Sequence, residues 1–172
     1  MKKRNMLIAA FPLLLSFMVF IACNKTNEGS SQLNIRMTDA PFDAQEVNVD
    51  IKEVRVNFEK DSLGWVSLNT NAKIYNLLRL QNGVDTLLAT ASVPKGIVKE
   101  IRLILGANNT IKIKDVVYPL SVASADESGL KIKVSKKLSA SLETVLIDFD
   151  ADLSIIKTGN DTYKLKPIIK LK

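Results

Sequence analysis

VNVDIKEVRVNF, residues 47–58, decides the fold. Val47, Val49 and Ile51 alternate with polar residues, and so do Val54, Val56 and Phe58. Strict alternation is the signature of a strand with one buried face, because successive side chains point to opposite sides. The phase slips at Lys52-Glu53, which predicts a bulge there. Working outward, Leu33, Ile35 and Met37 repeat the pattern upstream. Downstream come Ile97 to Leu105, Ile111 to Lys114, Val116 to Leu120, Leu130 to Val134, Thr144 to Ile155 and Tyr163 to Leu171. Turn signals separate them: Asp39-Ala40-Pro41, Asp61 to Gly64, Asn82-Gly83, Pro94 to Gly96, Gly106 to Asn109, Ser128-Gly129 and Thr158 to Asp161. Ile74 to Leu80 and Thr86 to Ala91 read as short strands or as single helical turns. Many short strands at near-regular spacing predict an all-β domain. The expected architecture is an antiparallel β-sandwich of Greek-key, transthyretin- or immunoglobulin-like type.

The chain has 172 residues, 47% hydrophobic and 24% charged, which fits one globular domain with a real core. It contains no His and one Cys. Zero His excludes Ser-His-Asp and Cys-His catalysis and His-ligated zinc. One Cys excludes intrachain disulfides, redox pairs and thiolate clusters. Glycine-rich phosphate loops and dinucleotide fingerprints are missing from the sequence. No enzyme activity is expected.

The N-terminus reads as a targeting segment. Met1-Lys2-Lys3-Arg4 is basic, and Met6 to Ile21 is apolar apart from Pro12 and Ser16. That run is short for a spanning helix and fits a secretory h-region. It ends Phe20-Ile21-Ala22-Cys23, which resembles a bacterial lipobox, with Phe20 where Leu is usual. The resemblance implies a signal peptide over 1–22, cleavage after Ala22 and diacylglycerol on Cys23, commonly with acylation of the new amino terminus. More than one acyl chain gives stable anchoring. Residues 23–32 are then the lipidated Cys and a polar tether, and 33–172 the sandwich. Cleavage leaves 21 basic against 18 acidic side chains, net +3 rather than +6, which argues against nucleic acid as partner. The expected location is the outer membrane, on either its surface or its periplasmic side.

Three constellations are candidates for chemistry. Asp148, Asp150 and Asp152 share one face if 144–155 is a single strand, with Ile147, Phe149, Ala151 and Leu153 facing the core. Close carboxylates want cations. One reading is a calcium site on Asp148 and Asp150 completed by Asp39. The other is cross-strand pairing with Arg102, Lys164 and Lys166. A glycosidase pair would need an apolar pocket to raise one pKa, which an open strand face does not supply. The second constellation is lysine alternation: Lys112, Lys114, Lys131, Lys133, Lys164 and Lys166 occupy polar phases, as do Lys170 and Lys172. If their strands are neighbours they make a basic face for an acidic glycan or lipid headgroup. Otherwise they keep the wet face soluble and block edge pairing. The third is aromatic supply. It is sparse, and Trp65 reads as core edge more than as a sugar platform. Asp61-Ser62-Leu63 and Asp85-Thr86-Leu87 resemble a short O-glycosylation acceptor.

Several spaced segments carry a wider resemblance: LNIRMTDAP (33–41), VNVDIKEVRV (47–56), GWVSL (64–68), VPKG (93–96), IRLIL (101–105), YPL (118–120), SGLKI (128–132) and DFDADLSIIKTGNDTYKLKPII (148–169). Together they are similar to the bacterial domain-of-unknown-function family 4382. That resemblance implies a secreted all-β lipoprotein domain and assigns no functional residue. The expected role is non-catalytic binding or scaffolding in the cell envelope, for a glycan or a protein, with contact at the loops near Asp39–Asp43 or Asn108-Asn109. The alternatives are a structural subunit akin to fimbrial lipoproteins and a calcium-binding envelope module.

Overall fold

The computed structural model describes residues 29–40, 42–60, 64–122 and 129–172. The expected signal peptide, Cys23, residues 24–28 of the expected tether, Pro41, the Asp61-Ser62-Leu63 motif and Ser128 lie outside the described residues, while residues 30–32 of that expected tether belong to the first strand. Fourteen strands are present among them. They are β1 (Ser30–Asp39), β2 (Glu46–Phe58), β3 (Trp65–Ser67), β4 (Asn69–Thr70), β5 (Lys73–Asn76), β6 (Thr86–Pro94), β7 (Gly96–Leu105), β8 (Thr110–Ile113), β9 (Val116–Val122), β10 (Leu130–Leu138), β11 (Leu142–Phe149), β12 (Ile155–Gly159), β13 (Thr162–Leu165) and β14 (Ile169–Leu171).

They form two sheets. The smaller has the order β14-β11-β1-β6-β4; the larger runs β10-β7-β2-β8-β9-β13-β12, with β3 and β5 also on β2. Alternation sets which side chains lie between the sheets. Leu33, Ile35 and Met37 of β1 and Val145, Ile147 and Phe149 of β11 are buried from one side. Val47, Val49, Ile51, Val54, Val56, Ile101 and Leu103 are buried from the other. β2 is one continuous strand, and its register against β7 shifts between Ile51 and Glu53, at the predicted bulge. β7 and β8 run along the same edge of β2, interrupted at Gly106 to Asn109. There the Asp50 N–H donates to Asn109 Oδ1 (2.9 Å), and the Gly106 N–H donates to the Asp50 carbonyl (2.7 Å).

The sandwich is not wholly antiparallel. β1 pairs β11 in parallel and β13 pairs β9 in parallel, so both sheets are mixed. Period two says which face a residue occupies and nothing about which strand lies alongside. Two further expectations are corrected. Residues 144–155 are not one strand: β11 ends at Phe149, and Asp150 caps a short helix, α1 (Ala151–Ser154), by accepting the Leu153 N–H at 3.1 Å. An Asp at this position satisfies an orphan N–H of the first turn. Leu153 is therefore 51% exposed rather than core, and Asp152 lies on the helical turn rather than on a strand face with Asp148. Residues 163–171 break into β13 and β14 around Pro167, which lacks the N–H a ladder needs. Ser154 holds the break. Its carbonyl accepts the Lys166 N–H and its Oγ accepts the Ile168 N–H, both at 2.8 Å. The two ambiguous segments also separate: 73–76 is strand, Leu77–Leu80 is a 3-10 turn, and Thr86 begins a nine-residue strand.

The β8–β9 hairpin turns on Lys114 and Asp115, both left-handed (φ 46° and 64°). Such two-residue turns favour Asn-Gly. Replacing the pair by Asn-Gly removes backbone strain and keeps the backbone N–H at 115 on Gln45 Oε1, but loses the Asp115 carboxylate contacts to Gln45 and Lys112. The expected net gain is about 1 kcal/mol, or roughly 2–4 °C in a thermal melt. An unchanged or lower midpoint would show that the side-chain contacts outweigh the strain.

Candidate functional site

The outer face of the larger sheet brings basic side chains into register. Arg55 of β2 lies opposite Arg102 of β7, and Arg102 lies opposite Lys131 of β10. On the other edge of β2, Arg55 faces Ser67 of β3. One row across four adjacent strands is therefore Ser67, Arg55, Arg102, Lys131. The next row is Trp65, Asn57, Glu100, Lys133. Strand spacing makes each row about 14 Å long.

Like charges directly opposed on adjacent strands repel, so three cations in one row are destabilising unless anions intervene. One anion does. Arg55 Nη2 donates to Glu53 Oε2 at 2.7 Å, and Ser67 Oγ donates to Glu53 Oε1 at 2.6 Å. The Arg55 and then the Ser67 hydrogen bonds hold the Glu53 carboxyl below its ordinary value. Arg102 has no carboxylate among the described residues. Its guanidinium lies 3.9 Å from the centre of the Trp65 ring, an arrangement in which a cation meets the negative π face. Trp65 is half-buried on this outer face with Arg102 over it, not at the core edge the sequence implied; its neighbour Val66 is the residue that packs on the core. Arg55 Nε, Arg102 Nε and Asn57 Oδ1 are buried without hydrogen-bond partners. Such groups are scarce in folded proteins. Gly129 packs on the stem of Arg102: at φ +87°, a Cβ there would sit 2.7 Å from Arg102 Cγ. The glycine keeps this space open and fixes the arginine against the indole.

The lysines picked out in the sequence do not form one cluster. Lys131 stands in the row and Lys133 in the next, but β7 and β2 separate them from Lys112 on β8, and β9 separates β8 from Lys164 on β13. Lys114 is in the hairpin turn, and Lys166 follows β13. Neighbouring strands were the condition for a uniformly basic face, and it is not met. Arg55 and Arg102 were overlooked as ligand-binding candidates, although both stand in the polar phase of strands read from the sequence.

Asp39, Asp148 and Asp150 do come together, at the far end of the parallel β1–β11 pair, where Thr38 lies opposite Asp148. The arrangement is a hydrogen-bonded and ion-paired closure of the sandwich. Asp39 Oδ1 accepts the Ala151 N–H at 3.0 Å. Lys170 Nζ donates to Asp150 Oδ2 at 3.1 Å, and Lys172 Nζ lies 3.7 Å from Asp148 Oδ2. Lysines supply the cations here, but not the expected ones: Arg102 and Lys164 are in the other sheet. Among the described residues no group of three carboxylates is placed to hold a metal ion. Burial pushes the Asp39 carboxyl from 3.8 up to about 6, and the charges of Asp148 and Asp150 add to it. Asn109, expected at a contact loop, is 2% exposed and committed to Asp50 and Gly106. Thr86 of the second glycosylation motif opens β6, and Asp85 is bonded to Arg36.

The family described as Domain of unknown function (DUF4382) matches residues 30–167. The chain belongs to that family. The match spans β1 to just past β13, so the cationic row and every strand of both sheets except β14 lie within the DUF4382 domain. Comparison with curated proteins and with solved structures gave no match.

Proposed function

We propose that this DUF4382 protein is a bacterial lipoprotein of the outer membrane. It is anchored by lipid on Cys23 after removal of residues 1–22, and its role is non-catalytic binding of a glycan or a protein partner. The grouping of the sandwich with Greek-key, transthyretin- or immunoglobulin-like folds belongs to the same reading. The observation that carries the binding role is the Arg55–Arg102–Lys131 row, in which aligned cations are only partly offset by Glu53. The anchor fits the geometry. β1 begins at Ser30, a few residues beyond Cys23, so the tether holds one end of the domain within roughly 25 Å of the lipid.

The test is expression of the full chain and of Cys23→Ser in bacterial cells fed an alkyne-labelled fatty acid. The wild type is expected to carry the label and partition into detergent with the outer membrane. Cys23→Ser is expected to carry none. An unlabelled wild type would end the lipoprotein reading. Protease added to intact cells then separates surface from periplasmic exposure.

A further inference from the structure

We infer that the Arg55–Arg102–Lys131 row, together with Asn57 and Glu100 beside it, binds the uronic acid units of an acidic polysaccharide. This deepens the binding role proposed above and rests on it. The cations supply the first half of the recognition. Arg102 presents a planar fork suited to a carboxylate, and the stack on Trp65 and the contact with Gly129 fix its plane. Lys131, exposed and next in register, adds a second charge. The neighbouring row supplies the other half. Glu100 has no bonded partner among the described residues, and half-buried Asn57 lies opposite it. Acceptors there suit sugar hydroxyls. A ligand with a carboxylate and hydroxyls on the same ring meets both rows; a bare phosphate or sulfate meets only one.

Shape favours a polymer. The rows lie on an open sheet face about 14 Å across, which an extended chain can cross. The anchoring membrane is a poorer occupant. Tether and domain join where the Lys95 N–H donates to the Gly29 carbonyl, beside the start of β7 at Gly96. Arg102 stands six residues along that strand, roughly 20 Å from this end.

The experiment titrates the detergent-solubilised full chain with polygalacturonate, with its fully methyl-esterified form, and with phosphatidylglycerol vesicles. Polygalacturonate is expected to bind, and the esterified polymer to bind at least about tenfold more weakly. Arg102→Gln and Arg102→Lys are each expected to weaken binding about tenfold, since a point charge does not replace the fork. Lys157→Gln, on β12 at the opposite edge of the sheet, is expected to stay within about twofold. Thermal melts report whether each variant is folded. If the Arg102 variants are not, exposed Lys131→Gln carries the same comparison with Lys157→Gln. Equal binding of the two polymers overturns the inference. So do equal losses for the row variants and Lys157→Gln, or binding to vesicles but not to polygalacturonate. A wild type that binds none of the three also overturns it, and leaves the lipid anchor to be judged at Cys23.

Discussion

Gly106→Ala is expected to destabilise the domain by about 3 kcal/mol and lower its melting midpoint by roughly 10 °C. Gly106 lies at the break between β7 and β8, against Asp50, which is 1% exposed. A Cβ at this position would sit 2.1 Å from Asp50 Oδ2 and 2.3 Å from Lys52 Cε. The lysine stem can swing away. The carboxylate cannot: it lies 2.9 Å from Lys52 Nζ, and its Oδ2 accepts the Asn108 N–H at 3.4 Å. Moving it separates a buried charge from its cation. The backbone of Gly106 is not left-handed, so the requirement for glycine is one of space alone. Urea denaturation of wild type, Gly106→Ala, Asp50→Ala and the double variant checks this. In the Asp50→Ala background the alanine is expected to cost less than about 1 kcal/mol, because both clashing atoms of Asp50, Oδ2 and Cγ, have gone. A cost that stays near 3 kcal/mol in that background would mean that the clash with Asp50 is not the cause.

Asp39→Asn is expected to stabilise the domain above neutrality and to flatten its pH dependence between about pH 4 and 6. Asp39 is 2% exposed, and burial raises its carboxyl to about 6. An acid whose folded pKa exceeds its unfolded value binds more protons in the native state. Stability therefore falls as pH rises from 3.8 through about 6, by up to about 3 kcal/mol, and stays lower above that. The Asn side chain keeps an oxygen for the Ala151 N–H and turns an amide donor toward Asp148 and Asp150. Gln81, which reaches Asp39 Oδ2 at 3.5 Å, can rotate its own amide to match. Lys170 and Lys172 remain with Asp150 and Asp148. Other carboxylates respond in the opposite sense. Glu143 is held at about 2 by the Ala140 N–H, the Ser139 N–H and Lys136, so its contribution is lost as pH falls below 4.5. The difference between wild type and Asp39→Asn isolates Asp39. Stabilities from denaturant titrations at pH 4, 5, 6, 7 and 8 should converge at the acid end and separate at pH 7–8. Parallel curves would show that Asp39 titrates alike in the folded and unfolded chain.

The strand phases were legible because one face of each strand is buried. Leu33, Ile35 and Met37, and Val47 through Phe58, are core in the phase their alternation implies, including the slip at Lys52-Glu53. Pairing was not legible. Every β1 residue from Gln32 on meets the residue 110 positions further along in β11, and nothing in either segment encodes that parallel choice. The cationic row follows from pairing. Arg55, Arg102 and Lys131 look like three ordinary wet-face residues until β2, β7 and β10 are placed side by side. The Asp148–Asp152 alternation misled because Asp150 is a helix cap, a role Asp favours for reasons unrelated to strand periodicity. The clustering of Asp39 with Asp148 and Asp150 was anticipated. Its cations, Lys170 and Lys172, depend on β14 folding back along β11 after Pro167.

β1 is paired along both edges, to β6 and to β11, and it is the most N-terminal strand of the described residues. Tension arriving through the N-terminus thus acts along the axis of a central strand. Ladder bonds lie across that axis, so the load falls on two whole ladders at once in shear. The bonds share that load and cannot be broken singly in sequence, as they would be if an edge strand were peeled. On the proposed lipid anchor, a domain loaded through this strand would resist being unravelled by drag.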